Sequence, residues 1–126
     1  MKVLIIENET QTVQVAFNAA NTIFFEGKIQ YSYATKSQDV QWSQINQFSC
    51  IFVDISLAMR SDLDGIGIIT KIQNEYPALL SRIAIITGHY KISEAIKENG
   101  VKIEPTQIIL KPLKYTELAN FIKSCE

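Results

Sequence analysis

The chain has 126 residues, 47% of them hydrophobic, and 12 Lys and Arg against 13 Asp and Glu give a formal net charge of −1. This length fits one globular domain, residues 1–126, and the hydrophobic content excludes a mainly disordered chain. The near-neutral charge argues against direct nucleic-acid binding or an anionic membrane surface. No apolar run approaches the roughly 20 residues that span a bilayer, and the apolar start is too short for a signal peptide. We expect a cytoplasmic protein.

Short apolar runs alternate along the chain with stretches of helical period, which is typical of strands alternating with helices. Residues 3–6 predict a strand buried on both faces of a parallel sheet. Apolar residues spaced by three and four predict an amphipathic helix over residues 10–25, stopped at Gly27. The weaker alternating segment 29–33 predicts an edge strand.

The alternation continues through the rest of the chain. A second helix is predicted over residues 38–46, with Val40, Trp42 and Ile45 facing inward. Strands are predicted at 50–53, 83–86 and 108–110, with helical faces over 66–76, 92–96 and 118–122. Parallel strands need right-handed helical crossovers, so the five units predict an α/β fold, a three-layer, doubly wound sandwich with helices on both sides.

Four of the predicted strands end in polar residues, namely Glu7, Asp54, Thr87 and Lys111. Ligands of open parallel sheets bind outside the carboxyl ends of the strands, so these ends predict the site. Glu7 and Asp54 would concentrate negative charge, which Mg²⁺ neutralises through oxygen ligands. Asp54 is then a candidate nucleophile towards a phosphoryl group, with the Lys111 ammonium and the Thr87 hydroxyl stabilising its oxygens.

In this order and at these strand ends, the motifs resemble the receiver domain of response regulators, a CheY-like module of two-component signalling. The resemblance covers essentially the whole chain. The matching segments are residues 3–9 for the acidic cluster, 51–54 for the phospho-acceptor strand, Asp64 and Gly65 at a helix start, 85–88 for the hydroxyl strand, and 109–113 for the lysine strand.

The resemblance implies a flavodoxin-like, five-stranded parallel sheet of order 2-1-3-4-5. It implies Mg²⁺ held by Glu7, Asn8, Asp54 and the backbone carbonyl of Ser56, and a cis peptide between Lys111 and Pro112. It also implies phosphorylation of Asp54 by a sensor histidine kinase or a histidine phosphotransfer protein.

Such a domain would be a signalling switch rather than an enzyme, acting on a downstream protein partner, and homodimerisation stays open. Residues 123–126 leave no room for an output domain unless the chain is a fragment, so we expect a stand-alone receiver.

The sequence departs from the family at the acidic cluster, where Asn8 stands in place of a second acid. Its amide oxygen adds no charge, so we expect weaker metal binding. Asn8 also suits a turn or helix cap. Glu9 either compensates or serves as a favourable charge at the start of the helix.

Two further departures concern the loop after Asp54 and the fifth strand. Residues 59–61 look like an insertion, so the loop should be longer and more mobile, and Arg60 either reaches the site or stays solvated. Ile108 stands where the family has an aromatic residue, and an aliphatic side chain cannot make the rotation that accompanies switching. Ser56 and His89 flank the expected phosphoryl site, although His89 also suits an exposed loop.

The two cysteines, Cys50 and Cys125, lie far apart in the sequence without CxxC or Cys/His spacing, so we expect neither a disulfide framework nor a zinc site. Cys50 is predicted to be a core residue at a strand start, and Cys125 an exposed thiol near a frayed helix end. A single histidine excludes multi-histidine metal sites.

Two other functions stay open. A receiver-like interaction module that acts without phosphorylation is favoured by Asn8, Ile108 and the altered loop. A flavodoxin-like electron carrier would need a glycine-rich phosphate loop after the first strand, whereas Glu7, Asn8 and Glu9 begin an anionic segment that would repel a flavin phosphate.

Overall fold

The computed structural model describes residues 1–57, 60–89 and 92–126. Its sheet is five-stranded and parallel, with the order β2-β1-β3-β4-β5, which confirms the predicted fold and the edge position of β2. The strands are β1 (Lys2–Ile6), β2 (Gln30–Ala34), β3 (Cys50–Asp54), β4 (Ile83–Thr87) and β5 (Ile108–Leu110). The α-helices of the described residues are α1 (Thr10–Phe24), α2 (Gly65–Glu75), α3 (Ile92–Glu98) and α4 (Tyr115–Ser124).

The hydrophobic core forms two layers, one on each face of the sheet. Successive strand side chains point to opposite faces, so Ile5 and Phe52 join one layer while Ile6 and Val53 join the other. The first layer is completed by α1 and α4, and Phe17 of α1 packs edge-on against Phe52 with ring centroids 4.9 Å apart. The second layer is completed largely by α2. This three-layer arrangement leaves the carboxyl ends of the strands open as a common edge.

The predicted second helix is wrong. Residues 38–46 instead form two short 3-10 segments, Ser37–Asp39 and Trp42–Gln47, with an extended residue, Val40, at the end of the first. Val40 and Ile45 are buried as predicted and Trp42 is partly buried, but a spacing of five residues does not follow the helical period. Among the described residues, the five strands are therefore joined by three connections that contain an α-helix, α1, α2 and α3, and by one 3-10 connection between β2 and β3, while α4 follows the last strand.

The start of α2 is built as the Asp64 and Gly65 pair predicts. The Asp64 carboxylate accepts a hydrogen bond of 2.7 Å from the Gly67 amide and caps the helix. A Cβ atom on Gly65 would overlap the backbone of Asp54 and Ile55, so only glycine fits beneath the end of β3. The helix is thus held directly against the strand that carries Asp54.

Two smaller features complete the description. The Lys111–Pro112 peptide is cis, as the resemblance implies. Cys50 is fully buried at the start of β3, as predicted, whereas the prediction of an exposed Cys125 is wrong, because this residue is half-buried against the α1 and α4 layer. Within the described ranges, no helix has the length and apolar character needed to cross a membrane.

Candidate functional site

The carboxyl ends of β1, β3 and β5 bring three predicted site residues together. Glu7 directly follows β1, Asp54 ends β3, and Lys111 directly follows β5. The side chains of Glu7 and Asp54 are 1% and 5% exposed, whereas the Lys111 side chain is 29% exposed. The neighbouring strands β1 and β3 therefore place two buried carboxylates side by side, and the residue after β5 brings one partly exposed ammonium to them.

The Lys111 ammonium bridges the two acids. Its Nζ lies 3.2 and 3.3 Å from the two Glu7 oxygens and 3.7 Å from Oδ2 of Asp54. The backbone amide of Lys111 donates to the Thr87 carbonyl at 2.7 Å, which fixes the start of the lysine loop against β4. The predicted proximity of Asp54 and Lys111 is observed, with the closer contact made to Glu7.

Two buried carboxylates competing for one ammonium leave the site short of positive charge. The pKa of Glu7 is raised to about 7, chiefly by burial and also by the hydrogen bond and negative charge of Asp54, while Lys111 acts in the opposite direction. Part of the Glu7 population therefore carries a proton at neutral pH. An additional cation would remove the repulsion that favours this proton.

The acids border a small open pocket of about 260 Å³. Its lining residues are Glu7, Asn8, Glu9, Asp54, Ser56, Gly88, His89 and Lys111. The Ser56 amide donates to Oδ1 of Asp54 at 3.0 Å, so Oδ2 is the oxygen that faces Lys111. Carboxylate, amide and backbone oxygens are the ligands that Mg²⁺ prefers, and this pocket offers all three kinds. Its charged ligands would be the carboxylates of Glu7 and Asp54, because Asn8 stands where a third acid would supply another charge.

The pocket departs from metal sites that are rich in strong ligands. Among the described residues, no group of three or more His, Cys, Asp or Glu side chains is arranged to hold a metal ion. Glu9 is exposed, and its backbone amide donates to Glu7 at 3.3 Å. The predicted weakening by Asn8 stays a prediction.

Thr87 does not reach the pocket wall. It ends β4 as predicted, but it is fully buried, and its hydroxyl oxygen accepts a hydrogen bond of 3.0 Å from the His89 amide. Gly88 and His89 line the pocket in its place, and His89 is exposed.

The loop that follows Asp54 is anchored to the 3-10 segment Ser37–Asp39. Ser61 accepts from the Ser37 amide at 2.8 Å, and the Leu63 amide donates to the Ser37 hydroxyl at 2.9 Å. The Gln38 side chain donates to the Arg60 carbonyl and accepts from the Asp62 amide. The predicted insertion at 59–61 falls partly outside the described residues, which omit 58 and 59. Its described residues, Arg60 and Ser61, are hydrogen-bonded to the 3-10 segment.

This anchor was missed by sequence reasoning, which assigned Gln38 to a helix over residues 38–46 and gave Ser37 no role. Ser37 is buried although it is polar, and its hydroxyl and amide both bond the loop. The available signal was the cluster of Ser, Gln and Asp side chains, which compete with helical hydrogen bonding. Ile108 is partly buried and packs on the apolar layer beside α2, as an ordinary aliphatic residue does.

Comparisons with known proteins agree with this geometry. No family model matches the chain. A protein described as an NtrX-like response regulator from Rickettsia bellii is 29% identical over 125 residues, which cover 98% of this chain and 24% of that protein. The chain therefore spans about a quarter of the length of this curated relative.

Solved receiver domains share the fold. The receiver domain of NtrX from Brucella abortus superimposes with a TM-score of 0.69 at 20% identity, covering 98% of this chain and 96% of the other. The receiver domain of the Francisella response regulator 1452 gives a TM-score of 0.68 at 19% identity, covering 98% of this chain and 94% of the other. The chain thus has the fold of a response-regulator receiver domain, and the resemblance drawn from its motifs is confirmed.

Proposed function

We propose that the chain is a phospho-accepting receiver of a two-component signalling system, with Asp54 as the acceptor. The observation that carries the proposal is the Asp54 carboxylate itself, buried at the end of β3, open to a small pocket, and 3.7 Å from the Lys111 ammonium. A buried carboxylate is unfavourable unless it is paired, and its placement at the strand edge where ligands bind supports a chemical role.

The reaction transfers a phosphoryl group to Asp54. Its Oδ2 attacks the phosphorus of a phosphohistidine, the phosphorus–nitrogen bond breaks, and the donor nitrogen retains the electron pair, so the imidazole is regenerated. The product is an acyl phosphate on Asp54. Lys111 is near enough to Oδ2 to donate to the transferred oxygens, where its positive charge offsets the charge of the group. Thr87 would donate a further hydrogen bond through its hydroxyl proton, which the bond accepted from the His89 amide does not use.

Glu7, Asn8, Asp54 and the backbone carbonyl of Ser56 are the residues that would hold Mg²⁺. When bound, the ion supplies positive charge to the carboxylates and to the phosphoryl oxygens. The two buried carboxylates share one ammonium, and the negative charge of Asp54 is among the causes that raise the pKa of Glu7, which supports this assignment.

The phosphodonor is proposed to be a sensor histidine kinase or a histidine phosphotransfer protein, and the output a protein partner. An apolar groove of about 740 Å³ lies between α1 and the start of α4, and Val15 and Tyr115 are exposed along it. Lys111 lines both this groove and the pocket, so a donor seated in the groove would lie beside Asp54.

A second candidate is an interaction module that works without phosphorylation. The closer pairing of Lys111 with Glu7 than with Asp54, and the burial of the Thr87 hydroxyl, favour it. In this alternative the three charged residues would only stabilise the edge of the sheet.

Phosphorylation by a small donor distinguishes the two functions. The protein is incubated with Mg²⁺ and acetyl phosphate, and its intact mass is measured. We expect one added phosphoryl group on the wild type, none on Asp54→Asn, and one on Asp62→Asn, a matched control in the exposed loop. A wild type that stays unmodified by acetyl phosphate and by phosphoramidate would support the interaction module.

A further inference from the structure

Ser37 and Gln38, the two residues that anchor the loop between β3 and α2, form a closed hydrogen-bond network with it. The Ser37 hydroxyl accepts from the Leu63 amide at 2.9 Å and donates to the Gln38 side-chain oxygen at 3.2 Å. That oxygen also accepts from the Asp62 amide at 2.9 Å, while the Gln38 side-chain nitrogen donates to the Arg60 carbonyl at 2.7 Å. Each side chain therefore fixes the orientation of the other, and together they hold three backbone groups of the loop.

Burial makes this anchor costly to release. Ser37 is 2% exposed, and its backbone amide donates to the Ser61 hydroxyl oxygen at 2.8 Å. A small displacement of the loop would leave the amide and the hydroxyl of Ser37 without partners before water could reach them, which is more unfavourable than losing an exposed hydrogen bond. The loop is therefore held in one position, although Arg60 and Asp62 are exposed.

The other end of the same loop forms part of the pocket. Ser56 lines the pocket, and its amide donates to Oδ1 of Asp54 at 3.0 Å. Only residues 57–59 separate Ser56 from the anchored Arg60. Because consecutive Cα atoms are about 3.8 Å apart, so short a segment limits how far Ser56 can move while Arg60 is fixed. A displacement at the anchored end would therefore reach the backbone beside Asp54.

We propose that Ser37 and Gln38 are positioning residues for the pocket: acting through residues 60–63, they keep Ser56 where its amide bonds Asp54. Neither residue lines the pocket, so their effect is indirect. A loop that is held before a ligand arrives need not be ordered when the ligand binds. The position of Ser56 does not depend on phosphorylation, whereas an effect on the rate of phosphorylation rests on the proposed function.

The chain offers a matched control in Gln73. Its side chain also bridges two backbone groups of a loop, since its nitrogen donates to the Gly100 carbonyl at 3.0 Å and its oxygen accepts from the Lys102 amide at 2.8 Å. Gln73 belongs to α2 and holds the loop after α3, and none of these three residues lines the pocket. Replacing Gln38 or Gln73 by Met removes the same pair of bonds and keeps a side chain of similar length.

The first measurement is the exchange of the Ser56 amide with water, followed residue by residue by NMR in the metal-free protein. Exchange should be about fivefold faster in Gln38→Met than in the wild type, and within about twofold of the wild type in Gln73→Met. Buried amides of β1 report any general loss of stability. Unchanged exchange of Ser56 in Gln38→Met, or equal acceleration in both variants, would overturn the proposal. Ser37→Ala should act in the same direction and replaces Gln38→Met if that variant does not fold.

Phosphorylation is measured on the same variants with Mg²⁺ and acetyl phosphate. The rate of phosphoryl incorporation should fall about tenfold in Gln38→Met and stay at the wild-type value in Gln73→Met, because a misplaced backbone at Ser56 disturbs the geometry around Asp54. A wild-type rate in Gln38→Met would contradict the effect on phosphorylation. A wild type that is not modified at all would count against the proposed function, whereas the exchange of the Ser56 amide decides the positioning role by itself.

Discussion

Strand β3 begins at Cys50 in an apolar layer and ends at Asp54 in a charged pocket, so its two ends carry different chemistry. At the Asp54 end, buried charges face one another in an open depression and are incompletely balanced. At the Cys50 end, a thiol is fully buried in the apolar layer between the sheet and helices α1 and α4. The charged end holds groups that a ligand could stabilise, whereas the apolar end contributes stability through burial.

The largest effect is expected from removing the ammonium at the charged end. Lys111→Met should slow phosphorylation by acetyl phosphate on the order of a hundredfold, because a positioned positive charge near the transferred group is lost. Lys114→Met, which removes an exposed ammonium from the same loop, should keep the wild-type rate. The rate of phosphoryl incorporation measures both, and equal rates would mean that Lys111 is only structural.

A second prediction concerns the backbone beneath Asp54. Gly65→Ala should lower the free energy of unfolding by about 3 kcal/mol, because the new methyl group overlaps the backbone of Asp54 and Ile55. Gly88→Ala is the control, since its methyl group would meet open space near the same pocket. Urea denaturation compares the two, and similar losses in both would show that α2 does not press against the end of β3.

The third prediction uses pH to sharpen the contrast between the ends. The pKa of Glu7 is about 7 in the folded chain against an ordinary value of 4.5, so the folded state holds this proton more tightly. Without divalent metal, the stability contributed by the proton is complete below about pH 4.5 and is lost as pH rises through 7, a total of roughly 3 kcal/mol.

Glu7→Gln supplies the comparison for this titration. When urea unfolding is measured in EDTA, the free energy of unfolding of the wild type should decline between pH 5 and pH 8. The decline should be smaller in Glu7→Gln, whereas Asp62→Asn should decline as much as the wild type. If the wild type and Glu7→Gln lose stability in parallel, another group is responsible for the decline.

The smallest effect is expected at the apolar end. Cys50→Ala should lower the free energy of unfolding by about 1 to 2 kcal/mol at every pH, because it removes one buried sulfur and leaves a small cavity. Unlike the effect at Glu7, this loss should not depend on pH between 5 and 8. A gain in stability would show that the sulfur is not well packed.

The sequence was informative about the charged end because strands in a parallel sheet finish on the same edge. Glu7, Asp54 and Lys111 each follow an apolar run, so their meeting could be predicted from topology. The sequence did not predict that Thr87 would be fully buried, because the path of the chain after β4 and the hydrogen bond from His89 are tertiary features.

The failures have physical causes. The segment predicted as a second helix has buried residues at a non-helical spacing, and the side chains of its first residue, Gln38, and of the preceding Ser37 bond the loop after Asp54 instead. Cys50 and Cys125 come from distant segments without a local motif, so no spacing rule could reveal that both would join the layer between the sheet and helices α1 and α4.

The most direct measurement identifies the residue that carries the phosphoryl group. The chain is phosphorylated with acetyl phosphate and Mg²⁺, reduced with borohydride, which converts an aspartyl phosphate to homoserine, and mapped by peptide mass spectrometry. The account predicts conversion of Asp54 alone, with the adduct sensitive to neutral hydroxylamine before reduction. A hydroxylamine-resistant adduct on Ser56 or Thr87, or conversion of any other carboxylate in place of Asp54, would contradict it.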